Sequence, residues 1–209
     1  DMLQETDDKD SKVNIIDNDT KSTQVIINLH GGRLEYEYKS KRTLLGLPLI
    51  HINIGKGFKK AKGIVAIGNI SYGIVSAGII SLGVLSFGCM SIGIISLAAI
   101  SIALLLAIGA ISIGVFSVGA ISIGIFSLGA LSIGKYSIGA AAIATDVAIG
   151  DYAKGTVAIG NTTEGLTKIP LDTSIEDIKK VIKEQYPSLS NWIIKYIEFF
   201  VKYTKFGVK

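Results

Sequence analysis

The chain has 209 residues, a formal net charge of +4 and 49% hydrophobic residues, with a mean hydropathy of +0.50. That content excludes a disordered chain and is high for a soluble globular domain, so a large apolar surface must be deeply buried or must face lipid. Cys89 is the only cysteine, which excludes an intramolecular disulfide and a multi-cysteine metal site.

Residues 1–22 are acidic and polar, with Glu5, Asp7, Asp8, Asp10, Asp17 and Asp19, and they are expected to form a mobile tail. They have neither the basic start nor the apolar run of a signal peptide. Residues 23–62 are expected to form an N-terminal β region. Val25, Ile27 and Leu29 share one face, a turn follows at His30-Gly31-Gly32, and Leu34, Tyr36 and Tyr38 alternate with charged residues; this predicts a hairpin with one wet face. A further strand is expected over 47–54, with Pro48 at its start or on an edge. Lys56, Lys59, Lys60 and Lys62 make a candidate basic patch. A solvated face is the usual fate of such a run, an anionic lipid surface is the partner it would suit, and nucleic acid is not expected.

From 63 to 160 one five-residue phrase recurs: glycine, two mostly apolar residues, serine, then Ile or Leu, as in Gly78-Ile79-Ile80-Ser81-Leu82. The phase holds from Gly63 to Gly93, slips by one residue through 104–108, runs from Gly109 to Gly139, and slips again near Thr145 and Asp146. Since no charge falls between Lys62 and Lys135, hydropathy alone would predict several membrane helices. The period argues against them. Five residues advance a helix by about 500°, which scatters glycine and serine over every face instead of gathering them into a packing stripe.

A β-solenoid accounts for the phrase. The apolar-Ser-apolar triplet is a short strand, and glycine allows a corner where positive φ or close backbone approach would penalise a Cβ. Stacked coils then align like residues into a continuous core. On this reading the residue before glycine, such as Ile123, belongs to the core. The residue after glycine admits Asn69 and Lys135 and is expected to face out, which makes Ile74, Ile79, Val84, Ile94, Val115 and Ile125 a candidate interaction surface. Cys89 occupies the same position and reads as a small apolar filler.

In the second half Phe116, Phe126 and Tyr136 recur every ten residues, so two sides of the coil differ. Four five-residue sides predict a square, twenty-residue coil, of unassigned handedness. A ten-residue coil would give the charge-free stretch a height of about 35 Å, near the ~30 Å of a bilayer core, and the square about half that.

Residues 161–172 are expected as a linker and 173–209 as a helical cap. Thr173 and Glu176 have capping-box spacing, Pro187 ends the first helix, and a second helix is expected over 190–203. Trp192, Ile193, Tyr196, Phe199 and Phe200 mark that helix as either a lid over the last coil or an interfacial membrane helix.

No catalytic, cofactor-binding or metal-binding residues are assigned, and neither an enzyme nor a small-molecule substrate is expected. His30 and His51 lack clustered partners, a serine repeated at every side offers no unique nucleophile, and Gly55-Lys56 lacks the Ser or Thr of a phosphate loop.

The five-residue phrase resembles the pentapeptide-repeat proteins, whose fold is a right-handed quadrilateral β-helix. More closely, Lys41-Arg42-Thr43-Leu44-Leu45-Gly46-Leu47-Pro48-Leu49-Ile50-His51-Ile52 and Ala61-Lys62-Gly63-Ile64-Val65-Ala66-Ile67-Gly68 resemble uncharacterised bacterial glycine-rich proteins with a G-L-P-L-x-H opening and long (Ala/Ser)-Ile-Gly repeats. The resemblance implies a bacterial protein and a solenoid, without an activity. The compartment stays open between cytoplasm and membrane.

Taken together, the residues predict an all-β solenoid with an N-terminal hairpin and a C-terminal helical cap, serving as a self-associating structural scaffold. The alternatives are a membrane-associated protein using the charge-free repeat or the aromatic helix, and an ice- or polymer-binding surface formed by the serine ladder.

Overall fold

The structure is a computed structural model and describes residues 12–15, 23–30, 33–40, 42–44, 46–55, 57–187 and 189–206. It is a β-solenoid of about 11 turns with an N-terminal hairpin region and a short C-terminal helical region. The chain divides into two compact units, Asp1–Leu104 and Leu105–Lys209. The first phase slip of the repeat falls at that division.

In the first unit, β1 (Lys12–Ile15), β2 (Thr23–His30) and β3 (Arg33–Ser40) are antiparallel, with Val25 opposite Tyr38 and Ile27 opposite Tyr36. Part of the expected mobile tail is therefore strand: the short alternation of Val13 and Ile15 with polar neighbours finds an edge on β2. The expected turn residues Gly31 and Gly32 lie outside the described residues. β4 (Thr43–Leu44) and β5 (Leu47–Pro48) form a small ribbon, which puts Pro48 where no central ladder needs its N–H. β6 (Ile50–Ile54) is antiparallel to β3 on one side and parallel to the start of β8 (Val65–Ile108) on the other. This strand converts hairpin pairing into solenoid pairing. β7 (Lys60–Lys62) pairs in parallel with the residues ten places on, Lys60 with Ile70 and Lys62 with Tyr72.

The second unit holds β9 (Ile111–Lys154), β10 (Val157–Glu164) and β11 (Thr167–Pro170). Val157 stands opposite Val147 and also opposite Thr167, again ten residues apart. Phe116, Phe126 and Tyr136 stack ring on ring at 4.9 and 5.1 Å. The coil therefore has ten residues and two sides, not the twenty residues of the expected square. The stretch 161–172, expected as a linker, carries the end of β10 and all of β11 and so continues the solenoid. At the second slip Gly150 stands against Gly139 and Gly155 against Ala144, eleven residues back, where Gly139 stands against Gly129, ten back; the inserted residue is absorbed in one enlarged corner.

A two-sided coil has almost no interior. Its opposed strands lie so close that serine fills the space between them: Ser71 through Ser101 and Ser112 through Ser137 are all buried in their five-residue series. Ser101 Oγ donates to Ser96 Oγ on the facing side at 2.7 Å, and Ser127 and Ser137 Oγ are 2.9 Å apart in consecutive coils. The expected in-and-out assignment is thereby reversed for the residue before glycine. Ile123 is 40% exposed, whereas Ser122 is fully buried. With serine pointing inward, strand alternation turns both flanking apolar residues outward.

The repeat glycines serve close approach rather than left-handed backbone, since among the described residues the positive-φ glycines are Gly46 and Gly57, both ahead of the repeat. A Cβ at Gly124 would overlap the carbonyl oxygen of Gly114 in the adjoining coil and lie 2.9 Å from Ser117 Oγ.

α1 (Ile175–Gln185) starts one residue later than the expected capping box. Ser174 is the N-cap; its Oγ accepts from Asp177 N–H at 3.2 Å and donates to Asp177 Oδ2 at 2.6 Å. The helix closes at Tyr186, ahead of Pro187. α2 (Asn191–Phe206) follows, joined to α1 by a 2.7 Å Lys179–Glu198 ion pair. Together they cover a side wall rather than only the last coil. Ile178, Ile182, Ile197 and Val201 share a core with Phe126, Tyr136, Ile138, Val147, Ile149, Val157, Ile159 and Ile169.

Candidate functional site

The outer walls are the feature of this molecule that internal packing does not explain. Because each coil repeats the last at ten-residue spacing, outward residues line up in columns along the stack. In the first unit Lys62 is followed by Tyr72, Leu82, Ile92 and Ile102, and Lys60 by Ile70, Ile80, Met90 and Ile100. The opposite side presents Ile67, Ile74, Val84, Phe87, Ile94 and Leu97, all exposed. Both sides of this unit are thus apolar, and their serines, the small polar residues of the phrase, point inward.

Of the candidate interaction surface, Ile74, Ile79, Val84, Ile94 and Ile125 are exposed, Ile79 at 57%, while Val115 is half-buried. Position after glycine found them. Sequence reasoning missed a second set before glycine, or before the Ala98 and Ala103 that replace it, including Phe87, Ile92, Leu97, Ile102, Ile113, Ile123 and Ile133, all exposed. The signal was present: in the triplet the small residue sits between two large ones, and a coil of ten residues admits only the small one. Cys89 is exposed on the same wall. The serine ladder, expected on the ice- or polymer-binding alternative to form an outer surface, is buried and presents no hydroxyl row to solvent.

The second unit treats its two sides differently. One side bears Phe116, Phe126 and Tyr136 and is roofed by the helices, with Phe126 at 5.1 Å from Trp192 and 5.8 Å from Tyr196. The other runs Ile113, Ile123, Ile133, Ile143 and then, in the last coils, Lys154 and Glu164. Lys154 Nζ and Glu164 Oε2 pair at 2.9 Å. The Lys154 hydrogen bond holds the Glu164 carboxyl below its ordinary range, and a bond to Glu164 raises Tyr152. Asp151 Oδ1 accepts from Asn161 Nδ2 at 2.6 Å. Where charge returns on the roofed side, Lys135 pairs with Asp146 at 3.4 Å, and burial, aided by Asp146, pushes the Tyr136 hydroxyl up to about 12.

The aromatic residues of α2 divide between two roles. Ile193, Tyr196 and Phe200 pack toward the wall, Trp192 meets the Phe126 ring while keeping half its surface open, and Phe199 is exposed. Among the described residues no helix is long and apolar enough to cross a membrane.

In the basic patch, Lys60 and Lys62 are exposed, Lys59 is half-buried and Lys56 lies outside the described residues. Lys60 and Lys62 line a depression of about 540 Å³ with Leu47, Tyr72 and Gly73. Lys62 Nζ lies 5.9 Å from the Tyr72 ring centroid. Behind them, buried His51 accepts the Lys62 N–H at Nδ1 (2.9 Å) and directs Nε2 at Glu37 Oε1 (3.3 Å), which fixes β7 against β6. Its role is to hold the strand that carries the lysines. Among the described residues no cluster of His, Cys, Asp and Glu is placed to hold a metal ion.

The chain matches no family model, no curated protein and no solved structure.

Proposed function

We propose that this chain is a non-catalytic structural protein whose solenoid wall is seated in lipid. One observation carries the reading. Both sides of the first unit are apolar along the charge-free coils, while the same architecture in the last coils of the second unit carries Lys154, Glu164, Asp151 and Asn161 on its open side.

An interface between protein copies needs one apolar face, whereas acyl chains favour an apolar surface on every side. Backbone chemistry is compatible with that setting. Coil-to-coil pairing satisfies the N–H and C=O groups along the stack, so the wall offers lipid side chains rather than open ladder edges. Tyr72 beside Lys62 stands where an apolar column gives way to charge, the placement that suits a lipid-water boundary.

The test is flotation of the full chain reconstituted with phosphatidylcholine vesicles, followed by a high-salt wash. Retention on the vesicles is expected. A monomer that stays dispersed at high concentration without detergent or lipid contradicts the proposal.

Self-association as a scaffold is the second reading, favoured by the regular, uncovered column Ile113, Ile123, Ile133 and Ile143. It predicts ordered oligomers without lipid, visible by light scattering and negative-stain imaging.

A further inference from the structure

We propose that the depression formed by Lys60, Lys62 and Tyr72 binds the phosphate headgroup of an anionic phospholipid. This rests on the lipid-seated reading and names a specific partner for one end of the wall.

Lys60 and Lys62 are separated by buried Ala61, so strand alternation projects both ammonium groups from the same side of β7. Among the described residues neither makes an ion pair. Both line the depression, together with Tyr72 and the exposed side chain of Leu47. Tyr72 stands directly over Lys62 in the next coil, and Leu82, Ile92 and Ile102 continue that column. A molecule lying along it would meet, in order, two cations, a phenol and a run of aliphatic side chains. That sequence matches the charge and polarity of an anionic phospholipid, with its phosphate at the lysines and its acyl chain on the column.

The site sits on a braced strand. His51 accepts from Lys62 N–H, and Asn53 Nδ2 donates to Lys60 O at 3.3 Å, so β7 is held at both lysines. Fixed backbone under two flexible ammonium groups suits a phosphate better than it suits a flat polyanion.

The experiment uses the detergent-solubilised full chain, titrated with dioctanoyl phosphatidylglycerol and with dioctanoyl phosphatidylcholine, with bound lipid counted by native mass spectrometry. The anionic lipid is expected to bind about thirtyfold more tightly, the scale two lysines supply near an anionic headgroup. Lys60→Gln/Lys62→Gln removes that preference, whereas Lys168→Gln/Lys183→Gln, with the same change in charge, retains it. Loss of preference in both double variants would overturn the site, as would its persistence in the first. Displacement by an equal concentration of inorganic phosphate would reassign the site to free anions and overturn the lipid proposal. Flotation on phosphatidylcholine separates the two levels. Wild-type protein that floats without lipid preference refutes the headgroup site alone, and protein that does not float refutes the lipid-seated wall beneath it.

Discussion

The charge-free coils of the first unit and the last coils of the second share one backbone and one kind of interior, yet their walls follow opposite rules. Inside, serine gives way to Ala142, Ala148, Ala153 and Ala158, a change of one hydroxyl that leaves the coil intact. Outside, the last coils have a dry side under two helices and a wet side of Lys154, Glu164, Asp151 and Asn161. The first unit has apolar residues on both sides. This backbone can therefore carry a water-facing side, and the apolar coat elsewhere is a property of the side chains rather than a requirement of the coil.

The comparison breaks most severely at the interior. Ser122→Leu is expected to destabilise the solenoid by at least about 3 kcal/mol, because the facing strand cannot move away without breaking the stack. Ser122→Ala should change stability by about 1 kcal/mol or less, in the stabilising direction, since Ser122 Oγ is buried without a partner among the described residues. Thermal unfolding in one detergent, followed by circular dichroism, compares them. Equal damage would mean that the serine needs its hydroxyl and that the interior is wrongly described.

Gly124→Ala comes next. The added methyl collides with Gly114 O, and a loss of about 1–3 kcal/mol is expected. A neutral result would show that neighbouring coils stand further apart.

Wall substitutions should separate stability from placement. Ile123→Asp and Ile125→Asp are both on exposed positions and should each cost about 1 kcal/mol or less in detergent. Each should reduce retention on vesicles, because a carboxylate facing acyl chains is unfavourable, though by less than the cost of about 2–4 kcal/mol for a lysine or arginine at mid-depth. Unfolding by Ile123→Asp alone would restore the assignment that puts the residue before glycine inside.

The smallest effect lies in the wet coils. Glu164 has a folded pKa below its ordinary 4.5, chiefly through the Lys154 hydrogen bond. Its contribution is thus present above the ordinary carboxyl range and fades as pH falls through the lowered value. Glu164→Gln should shift the unfolding temperature slightly at pH 7 and leave it unchanged at the acid end of a titration. A constant difference at every pH would remove the pair from the account.

The period of glycine and serine made the solenoid legible, and the spacing of Phe116, Phe126 and Tyr136 already contained its ten-residue coil. The square follows from giving each five-residue side its own glycine corner, and the inward Ile123 from the rule that large apolar residues belong inside. In a two-sided coil the rule inverts, because available width, not hydropathy, decides which residue enters. Ile74 and Ile79 were recognisable from Asn69 and Lys135 at equivalent positions, but Ile123 was hidden, since its position holds few polar residues before the last coils. The lysines were legible as a cluster. Their alignment beneath Tyr72 required the register.

Cys89 permits a direct test, being the only cysteine in the chain and exposed on the apolar wall. A nitroxide attached there, in protein reconstituted with phosphatidylcholine vesicles, reports collision with oxygen, which concentrates in lipid, and with a water-soluble nickel complex. The lipid-seated wall predicts high oxygen and low nickel accessibility; high nickel accessibility in the vesicle-bound protein would contradict it.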